Sequence, residues 1–162
     1  MRGLILAGLL ACVGGWAQEA RERPPAVEPT HSVMLPMRDD TLLSTKVYLP
    51  EGDGPWPAML TRTPYNQAPY ARRAERYTDA GYAFVTQDFR GRFESQGFYE
   101  PYQTEMEDGY DTIEWIAEQS WNNGKVGMSG RSAMGMTQVP LPSPACGTLT
   151  VTVAALLTTV AH

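Results

Sequence analysis

A short strand-compatible stretch, residues 125–128, runs without a break into Ser129-Gly130-Arg131-Ser132-Ala133-Met134-Gly135. Nothing else in the chain restricts its fold as strongly. The pattern has the shape of a nucleophile elbow, in which a strand turns sharply, presents a serine at its tip and continues as a helix. The glycines have a physical role there. The serine backbone is strained, and its neighbours must be small so that strand and helix can approach closely. The next backbone N–H, that of Ala133, then points toward an oxyanion near Ser132 Oγ. The helix N-terminus adds favourable partial charge. Spacing alone leaves an ordinary Gly/Ser loop open, because the chain has 15 glycines and Gly135 falls one residue later than Gly-x-Ser-x-Gly requires.

The sequence upstream supplies a sheet to carry such a turn. Residues 32–36 and 41–48 read as strands joined by the polar turn Arg38-Asp39-Asp40. A third strand is expected over 57–63, after the break Glu51-Gly52-Asp53-Gly54-Pro55. Residues 71–80 are helix-compatible, with Gly81 where a left-handed C-cap is needed. The compact apolar run 82–86 is of the kind buried in a parallel sheet. Residues 91–102 read as loop, and 107–119 as a helix with Tyr110, Ile113 and Ile116 along one face. Two hairpin-like strands followed by strand–helix–strand–helix–strand predict an α/β sheet with an antiparallel edge.

Composition narrows the function classes. Lys plus Arg total 13 against 18 for Asp plus Glu, a net charge of -5. A nucleic-acid binder carries a basic excess or stripe, so no nucleic-acid partner is expected. Two cysteines cannot make a disulfide framework, and two histidines cannot make a His-rich metal site. The N-terminus reads as a targeting segment. Met1-Arg2 precedes a charge-free apolar run over 3–16, and Gly15-Trp16-Ala17 places small residues where a signal peptidase reads. Export is therefore expected, with a signal peptide over 1–17, cleavage before Gln18 and a Pro-containing linker over 18–30. A competing reading takes Leu9-Leu10-Ala11-Cys12 as a lipobox, with Cys12 as a lipidated first residue. The run is shorter than the roughly 20 residues a membrane span needs, so no transmembrane span is expected after cleavage.

Several further blocks carry a resemblance to a known family. In order they are Val33-Met34-Leu35-Pro36-Met37-Arg38-Asp39, Leu60-Thr61-Arg62-Thr63-Pro64-Tyr65-Asn66, Gly81-Tyr82-Ala83 and Gln87-Asp88-Phe89-Arg90-Gly91-Arg92. Ser95-Gln96-Gly97, Asp111-Thr112-Ile113-Glu114-Trp115-Ile116 and Val126-Gly127-Met128-Ser129-Gly130-x-Ser132 follow. Together, residues 33–138 resemble the start of the catalytic domain of the X-prolyl dipeptidyl-peptidase, cocaine-esterase and α-amino-acid ester hydrolase superfamily. The resemblance implies the N-terminal part of an α/β-hydrolase sheet, and a small ester, amide or peptide as substrate. It implies Ser132 as the acyl-accepting nucleophile. It also implies Tyr65 as a phenol donor to the oxyanion, beside the backbone N–H of Ala133. The extra residue before Gly135 belongs to the family pattern. Ala133 itself departs from it, since the family usually has tyrosine there. Asp88 and Arg90 match family positions and are read as structural. Neither a metal nor an organic cofactor is expected, as acyl transfer from serine needs neither.

The C-terminal part fits less well. Residues 132–162 carry no Asp, Glu, Lys or Arg, and His162 is their only histidine. A serine hydrolase of α/β-hydrolase order places its acid and histidine after the serine. The partial domain is thus expected over 31–138, ending at the elbow, with an anomalous uncharged tail over 139–162. Its Pro-rich start forbids a regular helix, and Thr alternates with Leu or Val over 148–153, a strand pattern. Truncation or a frameshift after about residue 138 is the expectation, and a non-catalytic fragment is the alternative function. His31, ahead of the first strand, is read as solvated or strand-capping.

Overall fold

The computed structural model describes residues 26–136 and the strand Thr152–Ala155. The expected signal peptide, residues 18–25 of the linker and most of the tail lie outside the described residues. The elements run β1 (His31–Pro36), β2 (Leu42–Tyr48), β3 (Trp56–Thr63), a 3-10 segment (Ala68–Arg73) and α1 (Ala74–Thr78). After them come β4 (Ala83–Asp88), α2 (Glu105–Glu118), β5 (Asn122–Arg131), α3 (Ala133–Met136) and β6 (Thr152–Ala155). They build one six-stranded sheet in the order β1-β2-β4-β3-β5-β6. β1 and β2 are an antiparallel edge, β2 pairs antiparallel with β4, and β4, β3, β5 and β6 are mutually parallel. The antiparallel edge and parallel centre match the sequence expectation. The sheet also carries one strand past the elbow, β6, in the segment where Thr alternates with apolar residues.

Strand order explains which face each helix covers. The chain leaves β3 toward β4 on one side, then returns from β4 past β3 to β5 on the other. Crossovers of one hand running in opposite directions place their helices on opposite faces. The burial pattern follows. Val47, Ala58, Leu60, Ala83, Val85, Val126 and Met128 form one core with Ile113 and Ile116 of α2. Tyr48 and Phe84 pack on the other face with Ala71 and Ala74, and the Tyr77 ring stacks on Phe84 at 4.5 Å. Fully burying one of these aliphatic side chains contributes about 1.5–3 kcal/mol.

The expected helix over 71–80 is instead a 3-10 segment followed by a short α-helix, with Pro69 in the first turn of the former. Gly81 does take the left-handed conformation, φ 78°, and its N–H closes on Thr78 O at 2.9 Å. In α2 the acidic residues Glu105, Glu107 and Asp108 sit in the first turn, where the helix dipole favours them. Ile113 and Ile116 are buried as expected, whereas Tyr110 is half-buried beneath the Arg38 guanidinium, 5.7 Å from the ring centre.

Candidate active site

In an open parallel sheet, ligands bind at the carboxyl ends of the strands, where neighbouring connections depart to opposite faces. Here that point lies at the ends of β3 and β5. Ser132 follows β5 directly and has φ 57°, a left-handed backbone that a non-glycine residue adopts at a cost. Close packing holds it there. A Cβ at Gly130 would stand 2.5 Å from Met134 Cβ and 2.8 Å from Met134 C and O. A Cβ at Gly135 would stand 3.2 Å from Gly130 O. Strand and helix therefore meet through the two glycines, and Gly135 N–H donates to Ser132 O at 2.9 Å. The later position of Gly135 does not open the turn. Ser132 is exposed, Ala133 is buried, and Ser132 Oγ makes no hydrogen bond among the described residues.

Tyr65 lies on the turn leaving β3. The parallel pairing of β3 with β5 reaches Leu60 and Met128, and both strands then run on in the same direction, so the turns carrying Tyr65 and Ser132 leave the same end of the sheet. The ring is 57% exposed, and its hydroxyl makes no hydrogen bond among the described residues. Its backbone is fixed. Tyr65 N–H donates to Thr63 Oγ1 at 3.0 Å, Arg92 Nε donates to Pro64 O at 3.1 Å, and Asn66 at φ 81° accepts from Ala68 N–H. Gln67 N–H then donates to Asp88 Oδ1 at 2.8 Å, and its side-chain amide reaches Ser44 and Asp88. Asp88 thus clamps the turn that carries Tyr65. Burial pushes its carboxyl above the usual range, partly offset by hydrogen bonds from Gln67 and Glu94.

Sequence reasoning missed a buried charge network beside this turn. Arg62 of β3 is 1% exposed; its Nε donates to Gln87 Oε1 at 2.6 Å and Nη1 to Glu105 O at 2.7 Å. Its Nη2 lies 3.8 Å from Asp108 Oδ2, and the guanidinium sits 5.2 Å over the Phe89 ring. Burial lowers the Arg62 pKa to about 10, so it stays charged at neutral pH. Arg90 joins Asp108 at 2.6 Å to Asp39 at 2.6 Å, which supports its structural reading. The signal was a charged residue at an inward position of an otherwise uncharged strand.

The family model described as X-Pro dipeptidyl-peptidase (S15 family) matches residues 39–159. A cocaine esterase from Rhodococcus sp. (strain MB1 Bresler) is 42% identical over 113 residues, covering 66% of this chain and 20% of that protein. The chain thus spans about a fifth of the length of the curated relatives it matches. Among solved structures, an α-amino acid ester hydrolase superposes with a TM-score of 0.61 at 29% identity, over 78% of this chain and 26% of the other. An aminopeptidase from a marine sediment Thaumarchaeota archaeon gives 0.58 at 30% identity, over 69% of this chain and 23% of the other.

Proposed function

The chain belongs to the X-Pro dipeptidyl-peptidase (S15) family, and we propose that Ser132 is the nucleophile of an exported serine hydrolase acting on ester or amide carbonyls. The observation that carries this reading is the strained φ of Ser132 between β5 and α3. Ser132 Oγ attacks the carbonyl carbon, and the carbonyl oxygen takes the negative charge. Ala133 N–H and Tyr65 O–H donate to that oxygen. The C–O or C–N bond then breaks, the departing alcohol or amine carries the proton lost from Ser132 Oγ, and water hydrolyses the acyl–serine ester to release the acid and restore the serine hydroxyl. Each oxyanion donor contributes about 3 kcal/mol in such sites.

Ser132 also requires a base and a carboxylate to orient it. Residues 132–162 contain no Asp or Glu, and their one histidine is His162 at the end of the sequence, so neither role is assigned to a residue of this chain. The 162-residue chain alone therefore retains the oxyanion contribution, about 10³-fold over water. The test is p-nitrophenyl ester hydrolysis by the purified chain. Slow release that Ser132→Ala abolishes supports the assignment, and release unchanged by Ser132→Ala refutes it. Export rests on the charge-free run over 3–16 and the small residues before Gln18. Among the described residues no helix is long and apolar enough to cross a membrane. Mass spectrometry of the exported product checks it: an N-terminus at Gln18 is expected, an acylated Cys12 supports the lipoprotein alternative, and an intact Met1 contradicts both.

A further inference from the structure

Two adjoining cavities lie on the α1 face of the sheet, opposite the α2 core. The first, about 530 Å³, is lined by Tyr70, Arg73, Arg76, Tyr77, Ser129 and Arg131. The second, about 550 Å³, shares Arg76 and Tyr77 with it and continues along Pro57, Met59 and Tyr82, with Asn123 and Lys125 also in its lining. The alternation of β5 opens this trench. Val126 and Met128 turn toward α2, whereas the small residues Gly127 and Ser129 turn to the α1 face.

The polar end is a wall of donors. Arg38, Arg62 and Arg90 each meet an aspartate. Arg73, Arg76 and Arg131 are exposed, and none has a carboxylate within ion-pair distance among the described residues. Outside the described residues the only acidic side chains are Glu19 and Glu22. Arg73 lies over the Tyr70 ring at 4.8 Å, a contact that leaves its N–H groups available. The Tyr77 hydroxyl donates to Ser129 Oγ at 3.3 Å, freeing the Ser129 hydrogen to point elsewhere. The Tyr70 hydroxyl donates to Met134 Sδ at 3.0 Å, a weak acceptor that a carboxylate oxygen outcompetes. Three arginines, two tyrosines and a serine line the cavity with no acidic residue among its lining, in a chain of net charge -5.

We propose that these joined cavities form a binding site for an amphiphilic organic carboxylate. The carboxylate sits among Arg73, Arg76 and Arg131, where charge-assisted and bidentate hydrogen bonds are strongest. The hydrocarbon body lies along Met59 and Tyr82. The lining includes Gly130, Arg131 and Met134 of the elbow but neither Ser132 nor Tyr65, so carboxylate binding does not require the proposed acyl-transfer groups.

The test is titration of the full 162-residue chain with octanoate, octan-1-ol and inorganic phosphate, followed by calorimetry and by NMR. Saturable octanoate binding is expected, with the alcohol and phosphate each weaker by about tenfold or more. Arg73→Gln and Arg76→Gln are exposed substitutions, checked for folding by circular dichroism, and each is expected to weaken octanoate by about tenfold. Ser132→Ala is expected to leave it unchanged. Equal binding of octan-1-ol would reduce the site to an apolar hollow, and equal binding of phosphate would reduce it to a bare anion site. Either result overturns the proposal, as does octanoate binding that both arginine variants leave intact, or no binding.

Discussion

Replacing Gly130 with alanine puts a methyl group where the elbow has no room. The added Cβ meets Met134 Cβ at 2.5 Å and Met134 C and O at 2.8 Å. Carbon contacts are favourable at about 3.5–4 Å, so α3 must move outward by about 0.7–1 Å. Two of the three contacts are with backbone, so no rotamer change relieves them. Overpacking of this kind costs about 1–3 kcal/mol. Gly135→Ala is the control within the same turn. Its nearest contact is Gly130 O at 3.2 Å, and alanine gains about 0.8–1 kcal/mol over glycine in a helix, so the two effects nearly cancel. The assay is urea unfolding of the 162-residue chain, followed by tryptophan fluorescence, with Trp56, Trp115 and Trp121 packed against the α2 core. With a slope of about 1–3 kcal/mol/M, Gly130→Ala lowers the midpoint by roughly 1 M, and Gly135→Ala leaves it almost in place. A Gly130→Ala midpoint equal to that of the parent, or a larger loss in Gly135→Ala, would refute the close-packed elbow.

Three other substitutions test the neighbouring structure. Asp108→Ala leaves Arg62 as a buried charge without its carboxylate, and a loss of about 3–5 kcal/mol in urea unfolding is expected. Asp39 is held down to about 2 from 3.8, chiefly by its hydrogen bond from Arg90. Its contribution is complete above its ordinary pKa and fades as pH falls through the folded value. Thermal melts should therefore show the gap between the parent and Asp39→Asn constant above about pH 5 and closing between about pH 4 and 2. Tyr65→Phe removes a hydroxyl that makes no hydrogen bond among the described residues, so stability should hold. Its rate of acyl transfer to Ser132 should fall by about a hundredfold, measured as release of the first equivalent of p-nitrophenol.

The strands were legible because their side chains alternate: Ala58 and Leu60 face α2, and Met59 faces α1. The antiparallel edge followed from the short polar turn at Arg38-Asp39-Asp40. Long-range pairing was not legible. β5 begins at Asn122, earlier than the expected residue 125, because Trp56 N–H donates to Trp121 O and Asn122 Nδ2 donates to Trp56 O. Those contacts with β3 override the poor strand propensity of Asn and Gly. The elbow was half legible. Spacing left a plain loop open, and the deciding quantities were the φ of Ser132 and the missing space at Gly130. The Arg62 network was hidden because its partners, Gln87, Glu105 and Asp108, come from distant parts of the chain.

That Ser132 stands at an oxyanion site is tested most directly by covalent labelling. The purified chain is treated with a fluorophosphonate, digested, and the adduct is located and timed by mass spectrometry. Ser32, Ser44, Ser95, Ser120, Ser129 and Ser143 serve as controls in the same molecule. Ser132 is expected to react at least about a hundredfold faster than the fastest of these, because two donors meet the developing charge there. Labelling of Ser132 at the rate of the other serines would contradict it.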